Sequence, residues 1–228
     1  MGEKMTHHRK LLGIFVTGAL LLPAGLAPLA SAVAADHPVS SAAPALPPPG
    51  TYKIDPDHSF AFFSAWHHIV GRVRGRFEKV NGTITVSQDP AACAVDVTID
   101  PSSISTQIAE RDEDLRGPAY FDVKKFPAMT YQGRGIRRVS GGSWTMDGSL
   151  TMHGVTKVVP LTFLFTGSFS DVKPGGPARV AFHGTAATKR TDFGLGARDN
   201  LGELGLSPVG PDVEIEIDVE ADAISPAQ

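Results

Sequence analysis

Cysteine is all but missing from the chain: Cys93 is the only one among 228 residues, so no disulfide can form within the molecule and stability must come from a packed core. Glycine-rich phosphate loops of the Walker and dinucleotide types are missing too, as is the Gly-x-Ser-x-Gly elbow that presents a nucleophilic serine. These gaps set aside the commonest nucleotide enzymes and serine hydrolases. Positive charge is also scarce. The formal net charge is −3, and because three of 21 basic but one of 24 acidic residues fall within the first 35 positions, 18 basic and 23 acidic groups remain beyond them. A mildly acidic body lacks the clustered cations that phosphates attract, which excludes general nucleic-acid binding. Finally, the apolar stretch from Leu11 to Leu22 is broken at Pro23 and falls short of the ~20 residues that span a bilayer.

Lys4, Arg9 and Lys10 precede that stretch, and the small-residue sites Ala30-Ser31-Ala32 and Ala32-Val33-Ala34 follow it. Residues 1–34 therefore read as a secretory signal peptide. No cysteine lies near the cleavage region to take a lipid anchor, so the expected product is soluble and exported, periplasmic in a cell with two membranes. Residues 35–50 hold Pro38, Pro44 and Pro47-Pro48-Pro49-Gly50 without apolar periodicity and read as a semi-rigid linker. The folded domain is expected over 51–224, with a tail at 225–228.

Within that domain the apolar residues recur with period two. Val213, Ile215, Ile217 and Val219 alternate with Glu214, Glu216, Asp218 and Glu220, a half-buried strand with an acidic outer face. Val95, Val97 and Ile99 repeat the pattern, and Val159–Phe165, Val180–Phe182 and Leu150–Met152 share it. Further strands are predicted over 51–55, 58–67, 74–87 and 128–138, joined by turns rich in Gly, Pro, Asn and Asp. The one helical interval is Gln107 to Gly117, with Ile108 and Leu115 on one face. With 42% apolar residues, 24 Gly and 18 Pro, the chain is predicted to be an all-β antiparallel barrel or sandwich.

Residues that could carry chemistry are few. Cys93 precedes an apolar alternation and reads as an inert small residue. His67 and His68 are adjacent on a predicted strand, where side chains point to opposite faces, so one metal cannot readily take both. Arg111 to Leu115, followed by Tyr120, Phe121 and Phe126, form either a polar clasp over a pocket mouth or a solvated helix docked by its aromatics. On the strand 58–67, Ser59, Ala61, Phe63, Ala65 and His67 share one phase, and His58, Phe60, Phe62, Ser64 and Trp66 the other. If the small residues face inward, the lumen is underfilled and can hold an apolar ligand; if the aromatics do, the core is full. Periodicity does not choose between them.

The ordered motifs Tyr52-x-Ile54-Asp55-x-x-His58-Ser59, Gly75-Arg76-Phe77, Gly82-Thr83-Ile84, Ser103-Ile104-x-Thr106, Arg111-Asp112-Glu113-x-Leu115, Phe121-Asp122-Val123-x-Lys125-Phe126-Pro127, Gly148-x-Leu150-Thr151-x-His153-Gly154-Val155 and Arg190-x-Asp192-Phe193-Gly194 cover nearly all of 51–224. In this combination the chain resembles the YceI-like family of exported polyisoprenoid-binding proteins. The resemblance implies an extended eight-stranded antiparallel lipocalin-like barrel with a short helical segment at the rim. It implies no catalysis and no cofactor beyond the bound isoprenoid or acyl lipid. It also implies that the phase of Ser59, Ala61, Phe63, Ala65 and His67 faces the lumen; Phe63, Phe77, Val97, Ile99, Met129, Leu150, Phe163 and Phe182 are candidates for apolar lining or else plain barrel core. Arg111, Asp112, His67 and Arg190 are candidates for polar contacts at the mouth, with the Arg111-Asp112 pair alternatively pinning the helix to the barrel. Phe60, Phe62 and Trp66 depart from the family pattern and are expected at a homodimer interface, at a membrane contact or under cover of neighbouring segments; Asp114 stands where the family often has His. Partners expected from the resemblance are an apolar lipid and a membrane or quinone-linked membrane protein.

Three function classes follow: lipid carriage or storage, a small hydrolase or isomerase using His67 or His153 with a carboxylate, and a ligand-free interaction module acting through the Phe60, Phe62 and Trp66 face. An unbroken apolar tunnel favours the first, a pocket His with a carboxylate the second, and a solid core the third.

Overall fold

The alternation at Val213–Val219 lies inside a 15-residue strand, Val209–Ala223, and that strand closes the molecule. The computed structural model describes residues 46–68, 70–169, 176–196 and 208–224; the residues read as signal peptide and tail, and most of those read as linker, lie outside the described residues. Twelve described strands form one antiparallel sheet: β1 Gly50–Ile54, β2 Phe60–His67, β3 Gly71–Phe77, β4 Val80–Val86, β5 Ala94–Ile99, β6 Ile104–Ser105, β7 Met129–Arg134, β8 Arg137–Arg138, β9 Trp144–Met152, β10 Val155–Phe169, β11 Arg179–Lys189 and β12 Val209–Ala223. One α-helix, α1 Ala109–Arg116, is described.

The circuit β1-β4-β5-β7-β9-β10-β11-β12 returns to β1, so eight strands close a barrel and leave that ring without an edge. Along its free side, β12 pairs first with β2, from Val209 to Asp218, and then with β1, from Ala221 to Ala223. β1 and β2 thus make one bent wall, and β3 and β4 make the next. The apolar phase of β12 turns inward, with Val219 and Ala221 buried, while Glu214, Glu216 and Asp218 are exposed.

Side chains complete the hydrogen bonding at the corners. Between β1 and β2 the buried Ser59 hydroxyl donates to the Glu220 carbonyl and accepts from the Glu220 N–H, each at 3.1 Å, in place of a backbone partner. The strand predicted over 74–87 is broken at Glu78-Lys79, because the Ser103 hydroxyl accepts from both of those N–H groups at 3.1 Å and draws the chain out of the ladder. The strand predicted over 128–138 stops at Arg134: Gly135 adopts φ 73°, its N–H turns to the Cys93 carbonyl, and Ile136 swings into the barrel end. The helix is shorter than expected and differently faced. Gln107 at φ 64° places Ile108 outside α1, where it is 51% exposed, and Leu115 alone of the pair reaches the barrel.

α1 is pinned through Thr106, whose N–H donates to the buried Asp112 carboxylate at 2.8 Å and whose hydroxyl also bonds to it. Arg111 Nε donates to the same hydroxyl at 2.8 Å and Nη2 to the Thr106 carbonyl at 2.9 Å. The charged face of α1 therefore docks by its own backbone neighbour, with Tyr120 and Phe121 inserted below.

A second polar lock sits where β1 bends into β2. Arg179 on β11 reaches Asp55 at 2.7 Å, Glu220 at 2.8 Å and Asp222 at 2.7 Å, with side chains of Arg179 and Asp55 only 14% and 13% exposed. Burial pushes the Asp55 pKa up, but the bonds from His58 and the Asp57 N–H and the Arg179 charge together outweigh it and hold it below the usual value. Replacing Arg179 by Leu strands three carboxylates and is expected to cost about 3 kcal/mol in urea unfolding. Arg137→Leu, which breaks only the exposed Arg137–Asp147 pair, is expected to cost less than about 1 kcal/mol. Because the Asp55 pKa is depressed in the folded state, its contribution is complete above the ordinary carboxylate range and is lost as pH falls through the lowered value. In Arg179→Leu that acid loss begins at higher pH.

Candidate functional site: a two-lobed apolar lumen

The barrel interior is not filled. One lobe, about 880 Å³ counting space open to solvent, is bounded by Ile54, Val80, Ile84, Val86, Val95, Val97, Ile136, Met146, Phe163 and Phe182. A second, about 1080 Å³ on the same measure, lies towards α1 and is bounded by Phe63, Ala65, Phe77, Leu115, Phe121, Met129, Leu150, Val213 and Ile215. The lobes share Ala61, Ile99, Tyr131, Leu161 and Ile217, which form a waist between them.

Small residues set the wall beside large ones. A Cβ at Gly75 would stand 2.5 Å from the Phe63 ring, its register partner on β2, so glycine there lets Phe63 lie against β3. Gly148 does the same for Tyr131, whose ring would meet a Cβ at 2.2 Å. The Tyr131 hydroxyl donates to the Val159 carbonyl at 3.0 Å, satisfying its one polar atom against the wall.

Most of the residues singled out in the sequence line one lobe, and Ala61 and Ile99 line both. Ala61, Phe63, Ala65, Phe77, Met129, Leu150 and Arg190 line the second lobe, Ala61, Val97, Phe163 and Phe182 the first, and Ile99 both. Ser59, His67, Arg111 and Asp112 line neither. Ser59 completes the β1–β2 corner, Arg111 and Asp112 hold Thr106, and His67 is exposed at the end of β2. The His67 and His68 rings do not diverge as strand neighbours would: His68 has φ 47° in the following turn, and the rings meet edge-on at 4.2 Å. Arg190 is 5% exposed and donates to the carbonyls of Gly210 (3.0 Å) and Leu195 (2.7 Å), and to that of Val209 (2.5 Å). It thereby ties the start of β12 to the turn after β11.

Sequence reasoning missed Tyr131, Leu161, Ile217 and Leu46 as lining. Ile217 and Leu161 stood on recognised inward phases, and Tyr131 shares the phase of Met129; Leu46 lay in a segment read as linker. On the outer phase, Arg76 stacks over Phe60 at 5.0 Å and Arg72 over Trp66 at 5.2 Å, while Trp66 stays 44% exposed and Phe62 borders the second lobe.

Neither lobe is lined by a described His, Asp, Glu or Lys. His153 packs on Phe126 and bonds through Nδ1 to the Phe193 carbonyl at 3.0 Å, away from both lobes. The titratable clusters lie elsewhere: Asp55, His58 and Glu220 beside Arg179, and His183, Glu216 and Asp218 on the outer face of β11 and β12. At the waist, burial pushes the Tyr131 pKa from 10 up to about 12. The unfolded chain ionises first, so the stability that Tyr131 lends is complete below about pH 10 and is lost as pH rises towards 12. Tyr131→Phe is expected to shift the alkaline limb of thermal unfolding to higher pH, measured by a melting series between neutral and strongly alkaline buffers.

Comparison with known proteins agrees with this geometry. A YceI-like domain matches residues 52–221. A UPF0312 protein of Yersinia pestis is 33% identical over 216 residues, covering 93% of this chain and 96% of its own. Among solved structures, Burkholderia cenocepacia BcnA superposes with a TM-score of 0.62 at 21% identity, covering 74% of this chain and 99% of its own. A polyisoprenoid binding domain from Saccharophagus degradans, implicated in plant cell wall breakdown, gives 0.57 at 18% identity, covering 76% and 98%. With an apolar two-lobed barrel over the matched residues, the chain belongs to the YceI-like family.

Proposed function

We propose that the protein binds one long-chain apolar lipid, a polyisoprenoid or isoprenoid quinone or else an acyl chain, in the two-lobed lumen, and carries or stores it outside the cytoplasm without chemical change. The observation that carries this reading is the lining: two adjoining lobes walled almost entirely by aliphatic and aromatic side chains, whose one described charged residue already donates to backbone carbonyls. Its described lining offers no His, Asp, Glu or Lys to activate a nucleophile or shuttle a proton, and what it offers is suited to replacing water around hydrocarbon. The Saccharophagus degradans neighbour, described as a polyisoprenoid binding domain, supports the same ligand class. The signal-peptide reading of residues 1–34 supports the location.

The energetics favour retention. Burying about 600 Å² of isoprenoid surface at roughly 25 cal/mol per Å² contributes on the order of 15 kcal/mol. Lost motion takes back about 4–15 kcal/mol, so a long tail is needed for tight binding. Head groups contribute little in a lumen so poor in free polar partners.

Native mass spectrometry of protein purified from its own host without detergent, followed by organic extraction, is expected to find a stoichiometric prenyl or acyl species. Ala61→Trp, at the waist, is expected to lower bound lipid at least tenfold while far-UV circular dichroism stays unchanged. Apoprotein with no uptake of added isoprenoid quinone would overturn carriage and shift the reading to an interaction module acting through the Phe60, Phe62 and Trp66 face.

A further inference from the structure

We propose that Leu46 is a stop that closes the far end of the first lobe and sets the length of the chain the barrel accepts. The inference rests on the lipid-carriage reading above and adds which ligands of that class fit. Leu46 lines the first lobe, although it precedes β1 and lies outside residues 52–221 that match the family. It is half-buried and packs against the cluster of Cys93, Ile136 and Met146 at that end of the barrel. No other described lining residue of this lobe comes from before the first strand. The end of the lumen is therefore partly built by a segment that precedes the first strand and the matched domain.

The segment is held, not merely adjacent. Pro47 is buried, and the Tyr52 hydroxyl, from a side chain only 3% exposed, donates to the Pro48 carbonyl at 2.6 Å. Three consecutive prolines, Pro47 to Pro49, fix φ along the approach and leave little backbone freedom to lose when Leu46 is set in place. A rigid strap anchored at Tyr52 thus presents one branched side chain to the lumen.

The waist gives the ligand its path: a chain that fills both lobes from the second runs past Tyr131 and ends in the first against Leu46. The tail end then meets the strap, and each methylene that cannot be accommodated stays in water, at a cost of about fourfold in affinity.

The test offers the protein an equimolar ladder of isoprenoid quinones whose tails differ by one isoprene unit, and reads bound lengths by native mass spectrometry. Leu46→Ala is expected to move the preferred tail one unit longer, with the longer-to-parent ratio rising roughly tenfold, the worth of about two further buried carbons. Leu46→Trp is expected to move it one unit shorter. If both variants bind with the parent's length distribution, the stop is overturned and carriage stands. If the unmodified protein takes up no member of the ladder, carriage falls and the stop falls with it.

Discussion

Strand β12 hydrogen-bonds along one side to β11 over eleven residue pairs and along the other to β2 and then β1. That double use is what turns an open sheet into a ring, and it requires the β1–β2 wall to bend while staying attached. Ser59 and Arg179 make the bend possible from opposite sides of the chain. The Ser59 hydroxyl supplies both a donor and an acceptor to Glu220, and the Arg179 guanidinium gathers Asp55, Glu220 and Asp222 at the corner. Without those contacts a long acidic strand would meet its neighbours with unpaired backbone and unbalanced charge, both costly.

A closed ring has only its own inner face to bury, and side-chain volume decides whether anything is left over. Here the waist carries Ala61, and the walls beside Phe63 and Tyr131 carry Gly75 and Gly148, so the large rings lie flat instead of meeting in the middle. Space persists on both sides of Tyr131. Dry apolar space of this kind is costly in a folded protein unless something fills it, which is why an apolar chain is the natural occupant. The Thr106, Asp112 and Arg111 lock under α1 acts on the frame and lines neither lobe.

Much of this frame was legible in the sequence, because period-two alternation survives wherever one sheet face is wet and the other dry. β12 and β5 were readable residue by residue. The corners were not, since they depend on hydroxyls distant in sequence: Ser103 breaks the strand at Glu78-Lys79 from 24 residues away. The helix boundary failed at Gln107 and the His67–His68 geometry at His68, both because a non-glycine residue adopts positive φ, which composition does not announce. Of the candidate site, the aliphatic and aromatic lining emerged from strand phase and family resemblance together. Of the polar candidates only Arg190 borders the lumen; Ser59, Arg111 and Asp112 are engaged by backbone or by Thr106. Leu46 could not be found, because a proline-rich approach looks the same whether it leads away from a barrel or across its end.

The central claim is that a single apolar chain runs through both lobes. It is tested most directly by crystallising the protein with an isoprenoid quinone carrying bromine at the tail terminus and locating the anomalous signal. The account predicts the signal in the first lobe, beyond Tyr131 and among Leu46, Ile136 and Met146. Bromine outside the barrel, or confined to the second lobe with the first still empty, would contradict it.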